Sequence, residues 1–499
     1  MRQLRSLATQ TAIYGLSTIL VRVLNYLLAP LHTRVFTEQA DYGIISEMYA
    51  YVTFINVICM FGMETAFFRF AGRTDGFERS KVFGSAQLFL LCTSALMTAV
   101  LLFSAGDISA MLGYTGHSRY VIYFALIIGF DTLVNIPFAR LRLEGRPWRY
   151  CIIKLLNIGI NIALNFFFLF PALMQKPDMF STIGYTYDPA LGVAYVFLAN
   201  LIASAITFML FIPSMLSLRF DLQVCKKLLA YGAPLIIIGL AGMINETLDR
   251  VLIKYWGTGT VEENLRQVGI YSAVYKLAIF MTLAVQGFRM GAEPFFFSHS
   301  EEKNAPVTYA LIMKYFVIAC CVIFLGVGLF PDLFKIIIGP DYHSGLFIVP
   351  ILLLAQLLLG VYYNQSVWYK LTDKTTFATI IPIAGALLTI ALNYVLIPRL
   401  GFLGAAWATL CCYFSMVVMS YLIGQKYYHV PYPMRKIIIY ILLSITLCIA
   451  GLQVHAHVAN FWVSLVVRIA LLIFFFVFAY WLDLRTLLAS FTKKHSRTN

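Results

Sequence analysis

Apolar stretches of about twenty residues recur along the whole chain, and charged residues, proline or glycine bound each of them. A helix needs about 20 apolar residues to cross the ~30 Å hydrocarbon core of a bilayer. The pattern therefore predicts an all-α, polytopic integral membrane protein with about 14 transmembrane helices. The predicted spans, numbered 1 to 14 in chain order, are 11–36, 42–67, 83–103, 120–139, 150–171, 191–213, 234–256, 268–295, 307–330, 346–369, 377–398, 402–422, 437–452 and 461–481.

The composition supports a membrane protein and narrows its chemistry. Of the 499 residues, 61% are hydrophobic and 12% are charged, against about 45–50% and about 25% in soluble domains. The net charge of +14 is spread through the short gaps between spans, so we expect no nucleic-acid partner. The nine cysteines contain no CxxC pair, and the chain has no GxxxxGK[ST] phosphate loop. We therefore expect no metal site, no cofactor and no ATP hydrolysis.

The basic residues also predict an orientation. Lys and Arg concentrate in alternate gaps, as in the runs 69–81 and 140–149. Because positive loops stay cytoplasmic, both termini are expected in the cytoplasm. No predicted outer loop exceeds about twenty residues, which leaves no room for a soluble catalytic domain and disfavours a glycan polymerase or ligase.

The two halves of the chain resemble each other. The sequence GIISEMYAYVTF from Gly43 is echoed by GIYSAVYKLAIF from Gly269, and FGMETAFFRF from Phe61 by FRMGAEPFFF from Phe288. An even number of spans separates the copies, so the repeat is parallel, which is typical of transporters that bind substrate between two lobes. The predicted organisation is an N-lobe (1–213), a cytoplasmic amphipathic linker or plain connector (214–231), a C-lobe (232–424), two extra helices (425–484) and a cytoplasmic tail (485–499).

Polar residues inside the spans are the candidates for function, because a mid-membrane charge costs at least ~2.5–3.5 kcal/mol. Several share one helix face, which predicts a polar cavity between the lobes. The candidate cavity residues are Arg22, Asn25, Lys154, Asn157, Asn161, Asn245, Arg250, Lys276 and Arg289, and the candidates for ion or proton coupling are Glu47, Asp131, Glu246 and Asp249.

Structural alternatives exist for several of these residues. Arg22 and Arg250 could pair with Glu47 and Glu246 to fasten helices together. The asparagines of span 5 could form hydrogen bonds between helices. Arg34, Lys254 and Arg468 are interpreted as anchors that reach the membrane surface.

Guanidinium groups bind phosphate oxygens in a bidentate manner. The cavity therefore favours a pyrophosphate that carries sugars, with arginine for the phosphates and amides and hydroxyls for the sugars. A cationic drug would instead favour carboxylates and aromatic faces.

The sequence ATQTAIYGLSTILVRVLNYLLAPLHTRVF from Ala8, and span 7 with APLIIIGLAGMINETLDRVLIKYW from Ala233, resemble the polysaccharide biosynthesis and export family. These Wzx-like oligosaccharide flippases belong to the multidrug/oligosaccharidyl-lipid/polysaccharide (MOP) exporter superfamily. The resemblance implies a location in the cell inner membrane, alternating access and no enzymatic activity. It also implies translocation of an undecaprenyl-pyrophosphate-linked glycan to the periplasmic leaflet for O-antigen, capsule or exopolysaccharide. Arg22 would bind pyrophosphate, assisted by Arg250 and by Lys154, Lys276 and Arg289.

The resemblance also implies the partners. These are the lipid-linked glycan, membrane lipid, and a polysaccharide polymerase or glycosyltransferases. The sequence is similar to the lipid II flippase as well, in which the last two helices form a groove for the lipid tail. Lipid II as cargo and ion-coupled multidrug export are the rival functions.

Overall fold

The computed structural model describes residues 2–72, 76–216 and 218–484, so the predicted tail (485–499) lies outside the described residues. Within those ranges the chain forms twenty α-helices, short 3-10 and π segments, and no strand. The helices are α1 (Arg2–Tyr26), α2 (Leu28–Val35), α3 (Gln39–Met60), α4 (Met63–Ala71), α5 (Gly76–Phe103), α6 (Ala105–Met111), α7 (Ser118–Leu143), α8 (Pro147–Leu173), α9 (Ala194–Met215), α10 (Leu222–Trp256), α11 (Val261–Tyr275), α12 (Ile279–Ser298), α13 (Ala305–Gly328), α14 (Pro331–Phe334), α15 (Val349–Gln365), α16 (Val367–Leu371), α17 (Phe377–Leu400), α18 (Phe402–Tyr427), α19 (Met434–His457) and α20 (Phe461–Ala479).

Fourteen helical segments of the described chain are long and apolar enough to cross a membrane. They match the fourteen predicted spans in order, so the prediction of an all-α polytopic membrane protein is confirmed. Four spans consist of two helices in succession: span 1 (α1 and α2), span 2 (α3 and α4), span 8 (α11 and α12) and span 10 (α15 and α16).

The described chain divides into two compact units. Unit 1 contains the residues up to Ala273 together with Ile338–Tyr342 and Pro382–Ala405. Unit 2 contains Val274–Ile337, His343–Ile381 and the residues from Ala406 onward. Unit 1 therefore contains spans 1 to 7, the first part of span 8 and most of span 11. The lobe boundaries at residues 213 and 424 stay a prediction.

The second half of the predicted linker is helical and continuous with span 7. Helix α10 begins at Leu222, where the Asp221 carboxylate caps it by accepting hydrogen bonds from the backbone N–H groups of Gln223 (2.9 Å) and Val224 (3.1 Å). Leu228, one of the apolar linker residues, is fully buried in a core with Phe67 and Leu90 of spans 2 and 3. The first turns of α10 are thus fixed to unit 1 by burial of an apolar side chain.

The repeated segments meet at their first residue. Gly43 in α3 and Gly269 in α11 face each other, both within unit 1. A Cβ added at Gly43 would lie 2.1 Å from the Leu265 carbonyl oxygen, and one added at Gly269 would lie 1.9 Å from the Gln39 carbonyl oxygen. Each glycine therefore lets its own helix approach the backbone of its counterpart.

We expect Gly43→Ala to destabilise the protein by about 1–3 kcal/mol, because the backbone oxygen of Leu265 leaves no room for a methyl group. Thermal unfolding in detergent measures the effect. Gly159→Ala is the matched control, since a Cβ added at this helical glycine meets nothing within 4 Å. An equal midpoint for the two variants would contradict the close approach of the repeated helices.

Candidate functional site

Arg22 projects from α1 with an exposed side chain, and Asn25 is exposed one turn further on. In residues 2–72, 76–216 and 218–484, Arg22 forms no ion pair. The Tyr26 hydroxyl lies within electrostatic range of Arg22, Arg250 and Glu246. Unit 1 therefore brings the predicted cations of spans 1 and 7 together around Tyr26.

Arg250 is held by its own helix. Its Nη1 lies 3.1 Å from Asp249 Oδ1 and donates to the Glu246 carbonyl oxygen at 3.0 Å. The buried Asp249 carboxylate also accepts a hydrogen bond from the Tyr271 hydroxyl. Arg250 thus pairs with the adjacent aspartate, and the Asp249 carboxylate accepts three hydrogen bonds, two from Arg250 and one from Tyr271.

Glu47 is fully buried and forms an ion pair with Lys254. The Lys254 Nζ lies 2.9 Å from both carboxylate oxygens of Glu47 and 2.6 Å from the Leu112 carbonyl oxygen. The hydroxyls of Tyr51 and Tyr114 donate to the same carboxylate. The interpretation of Lys254 as a surface anchor is therefore wrong, because only 4% of this residue is exposed.

This ion pair was missed because Lys254 lies near the predicted end of span 7, where a lysine side chain usually reaches water. One signal was present in the sequence. Lys254 follows Arg250 by four residues and so continues the same polar face of span 7.

Two of the three asparagines of span 5, Asn157 and Asn165, contact neighbouring helices. Asn157 donates to the Thr207 hydroxyl of span 6 at 2.9 Å. Asn165 is 2.8 Å from the buried His32 ring of span 1, and its amide also donates to the Asn161 side chain at 2.9 Å. These contacts favour the interhelical alternative for Asn157.

Three further candidates of unit 1 have defined surroundings. The Lys154 ammonium lies 4.2 Å from the centre of the Phe138 ring. Asp131 accepts a hydrogen bond from Ser204 and lies within electrostatic range of Lys154. The buried Asn245 donates to the Pro382 carbonyl oxygen at 3.0 Å.

Two candidate cations belong to unit 2. Lys276 lies in the 3-10 turn Lys276–Ala278, between α11 and α12. Arg289 lies on α12, with its Nε 3.7 Å from Glu293 Oε2 and its guanidinium 4.6 Å from the centre of the Tyr363 ring.

Arg468 is also not a surface anchor, since only 1% of it is exposed. Its guanidinium binds Asp332 Oδ2 at 3.2 Å and the Leu329 carbonyl oxygen at 3.0 Å. The anchor interpretation is wrong because the Arg468 side chain is buried against Leu329 and Asp332, at and just beyond the end of span 9. Beside this ion pair lies a mostly apolar cavity of about 330 Å³, bordered by Phe461 and Leu465 of α20.

Burial alone would raise the pKa of Asp332, but Lys335, His455 and Arg468 lower it below its usual range. Because its pKa is lowered, the ionised Asp332 carboxylate stabilises the fold at pH values above the usual aspartate pKa. This stability is lost as the pH falls through the lowered pKa. We expect Asp332→Asn to cost about 1–3 kcal/mol at neutral pH and to remove part of the acid sensitivity. Unfolding midpoints at pH 7 and pH 3 measure this. If the unfolding midpoint of Asp332→Asn at pH 7 equals that of the wild-type protein, the ion pair with Arg468 does not stabilise the fold.

The family model described as "Polysaccharide biosynthesis protein" matches residues 7–298. No curated protein matches the sequence. Among solved structures, a lipid II flippase MurJ in an inward closed conformation is 15% identical with a TM-score of 0.70, covering 96% of this chain and 100% of that chain.

An inward-facing multidrug resistance MATE family transporter of the MOP superfamily is 16% identical with a TM-score of 0.62, covering 83% of this chain and 97% of that chain. A second MATE structure, in complex with MaD3S, is 15% identical with a TM-score of 0.58, covering 84% of this chain and 95% of that chain. These similarities show the fold of MOP-superfamily flippases and transporters. Because the family model matches more than half of its residues, the chain belongs to the polysaccharide biosynthesis protein family.

Proposed function

We propose that the protein is a flippase for an undecaprenyl-pyrophosphate-linked oligosaccharide. It moves the headgroup from the cytoplasmic to the periplasmic leaflet of the inner membrane, for O-antigen, capsule or exopolysaccharide synthesis. Both termini are cytoplasmic in this proposal. No covalent bond changes, so the protein acts as a transporter, in step with a polysaccharide polymerase or glycosyltransferases.

The observation that carries the proposal is the state of Arg22. A cation within a membrane span needs a partner, a cavity or water to offset its cost, and Arg22 has no carboxylate partner in the described part of the chain. A pyrophosphate would supply the missing negative charge through bidentate hydrogen bonds. Arg250, like Arg22, lies within electrostatic range of Tyr26, so the proposal includes it in the same site.

The remaining candidates take secondary roles in the proposal. Lys154, Lys276 and Arg289 add positive charge, while Asn25 and Asn161 provide amides for sugar hydroxyls. The buried Asn245 amide already binds Pro382 and Thr389, so we assign it to helix packing. Of the four coupling candidates, Glu47 and Asp249 already hold Lys254 and Arg250. Asp131 and Glu246 have no ion pair among the described residues, so we propose ion or proton coupling at these two first.

Lipid II is the second candidate cargo. The similarity to the lipid II flippase covers 96% of this chain, whereas the MATE similarity covers 83%. The apolar cavity beside α20 would suit a lipid tail in either case.

Deletion of the gene tests the proposed cargo. We expect loss of surface glycan and accumulation of lipid-linked oligosaccharide on the cytoplasmic leaflet, with unchanged drug sensitivity and unchanged peptidoglycan synthesis. Arrested peptidoglycan synthesis would select lipid II instead. Hypersensitivity to cationic drugs with normal surface glycan would contradict lipid-linked cargo.

A further inference from the structure

Spans 8 and 10 of unit 2 contain a charge cluster that the proposed function has not used in full. Lys370 of α16 forms an ion pair with Glu293 of α12, and Arg289 lies 3.7 Å from the same carboxylate. One carboxylate therefore faces two cations. We call Arg289, Glu293, Asn364 and Lys370 the span 8/10 cluster.

Asn364 gives an independent indication of a ligand. Only 3% of this residue is exposed, and neither its amide nitrogen nor its amide oxygen has a hydrogen-bond partner among the described residues. It borders the same cavity as Arg289, Glu293 and Lys370. Buried amides are nearly always hydrogen-bonded, because an unpaired one loses its bonds to water without replacement. The unpaired amide therefore points to an absent hydrogen-bonding group.

The cavity is too small for a ligand while the Glu293 carboxylate lies against Arg289 and Lys370. Its volume is about 10 Å³, which is at the lower limit for one water molecule. The Glu293 side chain is 35% exposed, so it has a path to water. A ligand would enter by displacing the Glu293 carboxylate from its two cations.

A related arrangement, with one cation instead of two, occurs in unit 1. Glu64 of α4 accepts hydrogen bonds from Arg142 of α7 and, at 3.3 Å, from the amide of Asn135. The amide oxygen of Asn135 and the Nε of Arg142 are buried without a partner in the described chain. Asn135 follows Glu64 by the same number of residues as Asn364 follows Glu293. This spacing of a glutamate and an asparagine therefore occurs once in each half of the chain.

We propose that the span 8/10 cluster, and its counterpart of Glu64, Asn135 and Arg142, are anion sites for a phosphate or diphosphate group. The glutamate is the internal counter-ion that this group displaces. The diphosphate source rests on the proposed function, whereas the anion chemistry rests on the residues alone.

The exchange is favourable on electrostatic grounds. A diphosphate carries more negative charge than one carboxylate, so it interacts more strongly with the same two cations. Guanidinium binds phosphate oxygens in a bidentate manner, and ammonium adds a charged donor. The Asn364 amide nitrogen would donate to a phosphate oxygen, which satisfies a group that is unpaired in the present structure.

Binding of diphosphate to the full-length protein in lipid nanodiscs tests the proposal. The probes are inorganic diphosphate and farnesyl diphosphate, each measured by calorimetry. We expect Asn364→Leu to weaken binding about tenfold, because a hydrogen bond to a charged group is lost. We expect Glu293→Gln to strengthen binding about tenfold, because the competing carboxylate is removed.

Gln356→Leu is the matched control. Gln356 is buried in the same helix as Asn364, but its amide donates to the Tyr275 hydroxyl at 2.7 Å. This control should lower the unfolding midpoint and leave diphosphate affinity unchanged. Asn364→Leu should do the reverse, keeping or raising the midpoint while affinity falls, since it removes an unpaired buried amide.

The two probes distinguish the sources of the anion. Equal affinity for both indicates a site for the free anion, and binding of farnesyl diphosphate alone indicates a lipid headgroup site. Either result supports the proposal if Asn364→Leu lowers the affinity for the probe that binds. Unchanged affinity in both Asn364→Leu and Glu293→Gln would overturn it, and gene deletion would still test the proposed flippase function separately.

Discussion

Replacement of Lys254 by alanine should destabilise the protein by about 3–5 kcal/mol, because it leaves the Glu47 carboxylate buried without its counter-ion. The pair is enclosed on both sides, with 3% of the Lys254 side chain and 0% of the Glu47 side chain exposed. The remaining donors to Glu47 are the neutral hydroxyls of Tyr51 and Tyr114. Unfolding monitored in detergent at neutral pH measures the loss.

The double variant Glu47→Gln with Lys254→Met should recover most of this loss, since a buried ion pair can be replaced by neutral groups of similar size at little cost. Arg266→Ala is the matched control, because Arg266 forms exposed ion pairs with Glu262 and Glu38. Such pairs contribute about 0–1 kcal/mol. Equal losses for Lys254→Ala and Arg266→Ala would contradict the burial of the Glu47 pair.

Arg22→Ala should abolish transport of the lipid-linked oligosaccharide while the protein still folds and inserts. The side chain is exposed and forms no ion pair in the described ranges, so its removal leaves no buried group unpaired. Loss of a bidentate phosphate contact removes the strongest polar interaction proposed for the cargo. Surface glycan in a deletion strain that expresses the variant measures the effect.

Arg34→Ala is the control from the same span. Arg34 is also exposed, and its guanidinium donates to the Pro30 carbonyl oxygen at 2.9 Å. We expect this variant to restore surface glycan, and Arg22→Lys to restore part of it, because lysine keeps the charge without the bidentate geometry. Normal surface glycan with Arg22→Ala at wild-type protein levels would remove Arg22 from the proposed binding site.

The spans and the repeat could be predicted from the sequence because both are properties of local pattern. The length of an apolar run alone predicts whether it can span the membrane. The copies from Gly43 and Gly269 can be aligned without any tertiary information. The structure adds that these two glycines face each other. That contact depends on helix packing, which the sequence pattern does not define.

Burial of charge was the part that sequence could not predict. Lys254 and Arg468 lie near predicted span ends, where long cationic side chains usually reach water. In the structure each meets a carboxylate from a distant part of the chain, Glu47 and Asp332 respectively. Whether a cation is an anchor or a buried partner depends on that tertiary contact, and so do the unpaired amides of Asn135 and Asn364.

Transbilayer movement in proteoliposomes tests whether the protein is a flippase for this cargo. The purified chain is reconstituted with a fluorescent undecaprenyl-pyrophosphate-linked oligosaccharide, and the labelled headgroup exposed on the outer surface is quenched over time. We expect the wild-type protein to make nearly all of the label accessible, and the Arg22→Ala protein to leave about half of it protected, as in protein-free vesicles. Equal rates for the wild-type protein and protein-free vesicles, in the presence of an imposed ion gradient, would contradict this function.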